Sequence, residues 1–337
     1  MANKEAMYWK KFSLVGKKVR CELCPHSCLI DDQQVGICKV RKNINGKLTS
    51  LVYGMPISTS FDFIEKKPLY HFFPGQKTFS FGTVGCNLKC LFCQNAEISQ
   101  ANPEAYNIKK ITPRKMVTEA KKESNIISYT YTEPTVFYEY MLDISKIARD
   151  KQMKNVIVSN GFINEKPMNE LLNCIDAANI DLKSMNEEIY RRVCGGSLNP
   201  VLETLKRIYE KGVWLEITNL IVPGMNDSLY DIRTLISWIK NNLGVDVPVH
   251  FSAFYPCYKM TEKPSTNPEI LKKARKIAME VGLNYVYTGN INDEEGSTTY
   301  CPNCRKPVIV RNGFNILQNK LVNGKCPCGK EIPGVWE

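Results

Sequence analysis

From Lys77 to about Val281, short apolar runs alternate with amphipathic stretches, and this rhythm narrows the fold more than any other feature of the chain. Runs of strand length lie at 79–83, 126–131, 156–159, 177–182, 214–222 and 249–254. Helical stretches fall between them, at 135–150, 166–175, 228–242 and 268–281. Two more open on a polar residue followed by proline, Thr112-Pro113 and Asn199-Pro200, a pairing that caps a helix and presets its first φ. Repeated β–α units predict a parallel sheet with right-handed crossovers. Six units are fewer than the eight of a closed barrel. The predicted fold class is therefore α/β, an open, partial (β/α)6 TIM-like barrel over 77–297, with a short last strand added at 285–287. Residues 1–76 and 298–337 lie outside that pattern and form two cysteine-bearing segments.

The cysteines divide into three groups and a remainder. Cys86, Cys90 and Cys93, spaced C-x3-C-x2-C, sit in the loop that follows the first strand, and the next cysteine in sequence is Cys174. Thiolates are soft ligands suited to iron–sulfur clusters or zinc, and a structural zinc is normally closed by four ligands. Three local thiolates on a four-iron cubane leave one iron open to substrate. A zinc knuckle borrowing a distant fourth ligand is the alternative. Cys21, Cys24, Cys28 and Cys38 can close one tetrahedral zinc site or hold a second cluster, and a metal would supply folding energy to so short a segment. Cys301, Cys304, Cys326 and Cys328, two close pairs around the strand-like Val308-Ile309-Val310, resemble a zinc ribbon. Cys174 and Cys194 read as structural thiols; Cys257 follows the sixth strand at the rim, where it could approach substrate, although a plain buried cysteine is the favoured reading.

Composition bears on compartment and partners. No apolar stretch approaches the roughly 20 residues needed to span a bilayer, and the charged start of the chain has no apolar signal core, so a cytoplasmic protein is expected. Fourteen cysteines in a large chain without an export signal indicate metals in a reducing compartment rather than disulfides. The formal charge of +11 falls to roughly +6 once three thiolate sites are filled, because ligands bind deprotonated, which weakens any case for nucleic acid.

Several motifs together carry a resemblance to the radical SAM (S-adenosylmethionine) superfamily, and within it to the pyruvate formate-lyase activating enzymes. They are Gly85-Cys86-Asn87-Leu88-Lys89-Cys90-Leu91-Phe92-Cys93, Tyr131-Thr132-Glu133-Pro134, Asp181-Leu182-Lys183 and Ile221-Val222-Pro223-Gly224-Met225-Asn226-Asp227. With Cys21-Glu22-Leu23-Cys24 and the terminal cysteine pairs, the pattern is most similar to the radical SAM component of the AmmeMemoRadiSam system. The resemblance implies an oxygen-sensitive [4Fe–4S] cluster on Cys86, Cys90 and Cys93. It further implies SAM chelated at the open iron, and reductive cleavage to methionine and a 5′-deoxyadenosyl radical that abstracts hydrogen from substrate. Electrons would come from a flavodoxin or ferredoxin. The substrate stays open: a protein glycine, as for a glycyl radical activase, a small molecule, or RNA, in company with the other two components of that system. A non-catalytic zinc adaptor explains the cysteines but not six β–α units with polar residues at one rim.

In parallel β/α barrels the active site forms at the C-terminal strand ends. By the resemblance, Glu133, Ser159, Asn160 and Lys183 would contact SAM. Val158 stands where the activating enzymes carry an aspartate. Strand alternation sets Asp181 beside Lys183, Glu216 beside Thr218 and His250 beside Ser252 on inward faces. Inward charges are costly unless paired or liganded, so Asp181, Glu216 and Thr218 join the expected cofactor set and His250 is a catalytic candidate. Residues 1–70 would cap the open barrel, with Pro74-Gly75 as hinge.

Overall fold

The computed structural model describes residues 4–12 and 16–337, so Met1–Asn3 and residues 13–15 of the N-terminal segment lie outside the described residues. Eight strands form one sheet in sequential order. They are β1 (Ser58–Phe63), β2 (Lys77–Gly82), β3 (Ile126–Tyr129), β4 (Lys154–Ser159), β5 (Ala177–Asp181), β6 (Trp214–Ile221), β7 (Val249–Ala253) and β8 (Val286–Gly289). Strands β2 to β8 are parallel, while β1 pairs antiparallel with β2. The two edge strands are not neighbours, so the barrel is open, as the alternation predicts, with six β–α units and a seventh parallel strand.

The crossovers carry α1 (Pro113–Ala120), α2 (Tyr138–Asp150), α3 (Glu165–Leu172), α4 (Leu198–Glu210), α5 (Leu229–Leu243) and α6 (Pro268–Val281). Thr112 caps α1 by accepting from Lys115 N. The Asn199-Pro200 start is corrected: α4 begins at Leu198, whose free N–H is taken by Glu187 Oε2 at 2.8 Å, so a distant carboxylate does the work of a local cap.

Strand β1 has no place in the predicted pattern. It belongs to the segment before Lys77 and reads Ser-Thr-Ser-Phe-Asp-Phe, a polar alternation suited to an edge. The chain between β1 and β2 then crosses the N-terminal mouth of the barrel. Ile64, Leu69 and Phe72 are buried there against Ile126, Val156, Ala177 and Trp214, all at or near the starts of their strands. The C-terminal strand ends are thus the accessible end.

Two small sheets precede the barrel, one joining Trp9–Lys11, Val19–Cys21 and Leu29–Ile30 and one joining Lys4–Glu5, Arg41–Ile44 and Lys47–Ser50. A third, of Thr299–Tyr300, Pro307–Asn312 and Asn315–Asn319, carries the C-terminal cysteines. Fully buried Arg311 joins it to the barrel floor, donating to Tyr70 O at 2.7 Å and Thr299 Oγ1 at 2.9 Å.

Candidate active site

The loop leaving β2 is held from several sides. Lys89 N donates to Cys194 O at 2.7 Å, Leu91 N to Val193 O at 3.0 Å, and Lys259 N to Leu91 O at 3.0 Å. Asn87 Nδ2 donates to Phe162 O at 2.6 Å. Glycine is required at two points. A Cβ on Gly82 would lie 2.4 Å from Thr130 O. Gly85 has φ +105°, and a Cβ there would lie 2.6 Å from Val40 Cγ1 and 3.1 Å from Cys38 O. The loop therefore sits directly on the N-terminal segment.

Within it Cys90 is buried and Cys86 and Cys93 are half-buried. Burial pushes the Cys86 and Cys93 thiols above their ordinary range, so a metal rather than the protein field would ionise them. Cys90 is lowered, chiefly by a hydrogen bond from Cys194 and then, against burial, by the charge of Lys183. Cys194 is buried behind it. Cys257 is half-exposed and donates to Phe92 O at 3.3 Å, which places it on the same rim.

At the ends of β3 and β4, Glu133 is buried. Its Oε1 accepts from Thr135 N at 2.9 Å, Thr135 Oγ1 at 2.7 Å and Ser159 Oγ at 2.8 Å, and its Oε2 from Asn160 N at 2.8 Å. Three donors crowd Oε1 and one meets Oε2, which leaves one lone-pair position open on Oε2, and burial holds this carboxyl above its usual range. Glu133 thus ties two strand ends together. Asn160 carries the tie to the loop, with Nδ2 at 2.9 Å from Asn87 Oδ1 and 3.7 Å from Cys86 Sγ.

Lys183 and Asp181 stand on the barrel side of the loop, 3.0 Å apart. Burial alone would pull Lys183 down, yet Asp181 and the sulfurs of Cys90 and Cys194 hold it well above its ordinary value. Its side chain is 13% exposed and that of Asp181 35%, so the pair borders space open to a ligand. Inward residues of β4, β6, β7 and β8 agree: Val158, Thr218, Leu220, Ser252 and Gly289 are all partly accessible. Thr218 donates to Asn179 Oδ1 at 2.8 Å one layer deeper.

Glu216 and His250 are corrected. They belong to the floor, not the rim. Glu216 Oε2 accepts from Tyr70 N at 2.9 Å and His250 Nε2 at 2.6 Å; its Oε1 accepts from His71 N at 2.7 Å and Trp214 Nε1 at 3.0 Å. Burial would raise this carboxyl, but the donors, His250 first, hold it below its usual range. The inward charge was legible; its partners, backbone amides of the segment crossing the mouth, were not. Residues 64–73 therefore cover the end of the barrel opposite the cysteine loop. Asn87, Asn160's partner, escaped notice among the residues between cysteines; its place inside C-x3-C is the signal that marks it.

The C-terminal sulfurs gather closely. Cys301 and Cys328 lie 3.6 Å apart, Cys304 and Cys326 3.7 Å, and all four within 4.8 Å. A tetrahedral zinc with Zn–S near 2.3 Å needs sulfurs about 3.8 Å apart, so the set fits one zinc. The N-terminal cysteines line a cavity that reaches Asn87.

Comparison with known proteins adds ancestry to this geometry. The model described as the radical SAM superfamily matches residues 81–236. The uncharacterized protein MJ0808 of Methanocaldococcus jannaschii is 45% identical over 98% of this chain and 98% of its own. A pyruvate formate-lyase-activating enzyme of Clostridium pasteurianum is 24% identical over 62% of this chain and 92% of its own. Streptococcus suis SuiB bound to the precursor peptide SuiA shares the fold, with a TM-score of 0.51 at 16% identity over 67% of this chain and 51% of SuiB. Among the described residues no helix is long and apolar enough to cross a membrane.

Proposed function

This chain belongs to the radical SAM superfamily, an enzyme family, and we propose that it cleaves SAM reductively at a [4Fe–4S] cluster held by Cys86, Cys90 and Cys93 and abstracts hydrogen from a substrate bound at the open end of the barrel. The observation that carries this reading is the placement of three cysteines on one braced loop at the C-terminal strand ends. The loop borders inward space where a charged lysine stands. When bound, such a cluster supplies one electron and an open iron to the sulfonium cofactor.

The donor set fits. Three thiolates of this spacing are soft ligands, and half-buried Cys86 and Cys93 leave an approach from the barrel. Lys183 offers a fixed positive charge to the carboxylate of SAM's methionine portion. Asp181, paired through Oδ2, keeps Oδ1 for a hydroxyl or ammonium donor. Glu133, Ser159 and Asn160 act as positioning residues, locking two strand ends to Asn87 and so to the loop. Cys257 lies on the rim where substrate would approach.

A flavodoxin or ferredoxin is the proposed electron donor. The relatives named pyruvate formate-lyase-activating enzyme support a protein glycine as substrate. Cys301, Cys304, Cys326 and Cys328 hold zinc in this reading. The test is anaerobic reconstitution with iron and sulfide, reduction, and incubation with SAM. Equimolar 5′-deoxyadenosine and methionine are expected from the loaded enzyme and neither from Cys90→Ala. A fully iron-loaded protein that leaves SAM intact overturns the reading.

A further inference from the structure

The four N-terminal cysteines line one cavity, walled also by Leu23, Ile30, Val136, Arg41 and Asn87. Their sulfurs are not gathered as the C-terminal four are. Among the described residues, Cys301, Cys304, Cys326 and Cys328 form the group of three or more potential ligands whose atoms lie within 4.8 Å. The Cys86, Cys90 and Cys93 sulfurs are likewise not gathered within that spacing. A zinc would need sulfurs about 3.8 Å apart.

The cavity also presents buried donors without an acceptor. Arg41 is 2% exposed, and its Nη2 donates to Glu139 Oε1 at 2.9 Å. Its Nε and Nη1 are buried with no acceptor. Orphaned guanidinium donors are costly in a buried site unless an anion meets them. A four-thiolate cubane in its oxidised state carries a net charge of about −2 and bridging sulfides that accept hydrogen bonds.

We propose that Cys21, Cys24, Cys28 and Cys38 hold a second [4Fe–4S] cluster, ligated at every iron, which passes single electrons to the cluster on Cys86, Cys90 and Cys93; the relay rests on the function proposed above, the second cluster does not. With no open iron this cluster takes no SAM. It accepts one electron from a low-potential protein donor and returns to its oxidised state by giving that electron to the neighbouring cluster. The route is short. Asn87, next to Cys86, is a wall of the cavity, and His26, two residues after Cys24, donates through Nε2 to Asn87 O at 2.7 Å. The Gly85 backbone lies against Cys38 O.

The test counts metals in anaerobically reconstituted full-length protein and in the triple variant Cys86→Ala, Cys90→Ala, Cys93→Ala, which leaves the N-terminal site untouched. About eight irons are expected in the native chain and about four, with equal sulfide, in the triple variant, alongside about one zinc. The triple variant should stay brown and show a reducible cluster by electron paramagnetic resonance. Cys24→Ala should lose about half the iron. A triple variant that is colourless with about two zincs, or holds no iron, overturns the proposal. Should that variant not fold, Cys24→Ala decides, since iron and sulfide unchanged from the native count overturn the proposal equally. Failure of the SAM-cleaving reading would show differently: native and triple variant would then hold the same iron.

Discussion

Glu216→Gln separates a floor carboxylate from a cofactor ligand. Each Glu216 oxygen accepts from two donors, and all four donors lie in the floor of the barrel. Glutamine keeps one oxygen and turns an NH2 toward the other two donors. Two buried donors lose their acceptor at about 1–3 kcal/mol each, about 2–6 kcal/mol together. At an unfolding entropy near 2.1 cal/mol/K per residue, a cooperative chain of this length melts about 3–8 °C lower for that loss. The assay pairs the melting temperature with SAM affinity measured well below the melt. The floor assignment predicts a lowered melt and unchanged affinity in the folded fraction. An unchanged melt with SAM binding weakened tenfold would refute it and return Glu216 to the cofactor site.

Other consequences are as direct. Lys183→Ala should weaken SAM binding about 10- to 100-fold, the worth of a hydrogen bond to a charged group, with iron content unchanged; equal affinity by calorimetry removes Lys183 from the site. Gly85→Ala places a Cβ against Val40 and Cys38 at a left-handed φ, so it should cost about 1–3 kcal/mol and lower iron retention in metal analysis. His71 is buried, donating from Nδ1 to Pro333 O at 2.7 Å and accepting at Nε2 from Tyr287 OH, and burial pulls its pKa down to about 4. The unfolded chain binds that proton first, at about 6.5. His71's contribution is therefore complete above pH 6.5 and is lost as pH falls toward 4, about 3 kcal/mol in all. Melting curves of native protein and His71→Asn should converge over that window; a constant difference between pH 7.5 and 5 contradicts it.

The β–α rhythm was readable because parallel strands covered on both faces are written as continuous apolar runs, such as Val156-Ile157-Val158 and Leu220-Ile221-Val222. The cysteine loop was readable because its ligands are local. Strand β1 escaped because its inward residues, Ser58, Ser60 and Asp62, face a polar barrel interior and mimic a loop. Glu216 and Glu133 show a further limit. Alternation announces an inward carboxylate but not what satisfies it. For Glu216 the partners come from residues 70 and 71, far away in sequence. For Glu133 they are divided between neighbouring Thr135 and the end of the next strand, Ser159 and Asn160.

The central claim is that SAM sits on an iron left open by Cys86, Cys90 and Cys93. Its most direct measurement is electron–nuclear double resonance on the reduced enzyme with SAM labelled by nitrogen-15 at its amino group. Direct ligation predicts a hyperfine coupling from that nitrogen that disappears in Cys86→Ala, Cys90→Ala, Cys93→Ala. A loaded, reduced native protein that shows no coupling to bound SAM contradicts the account.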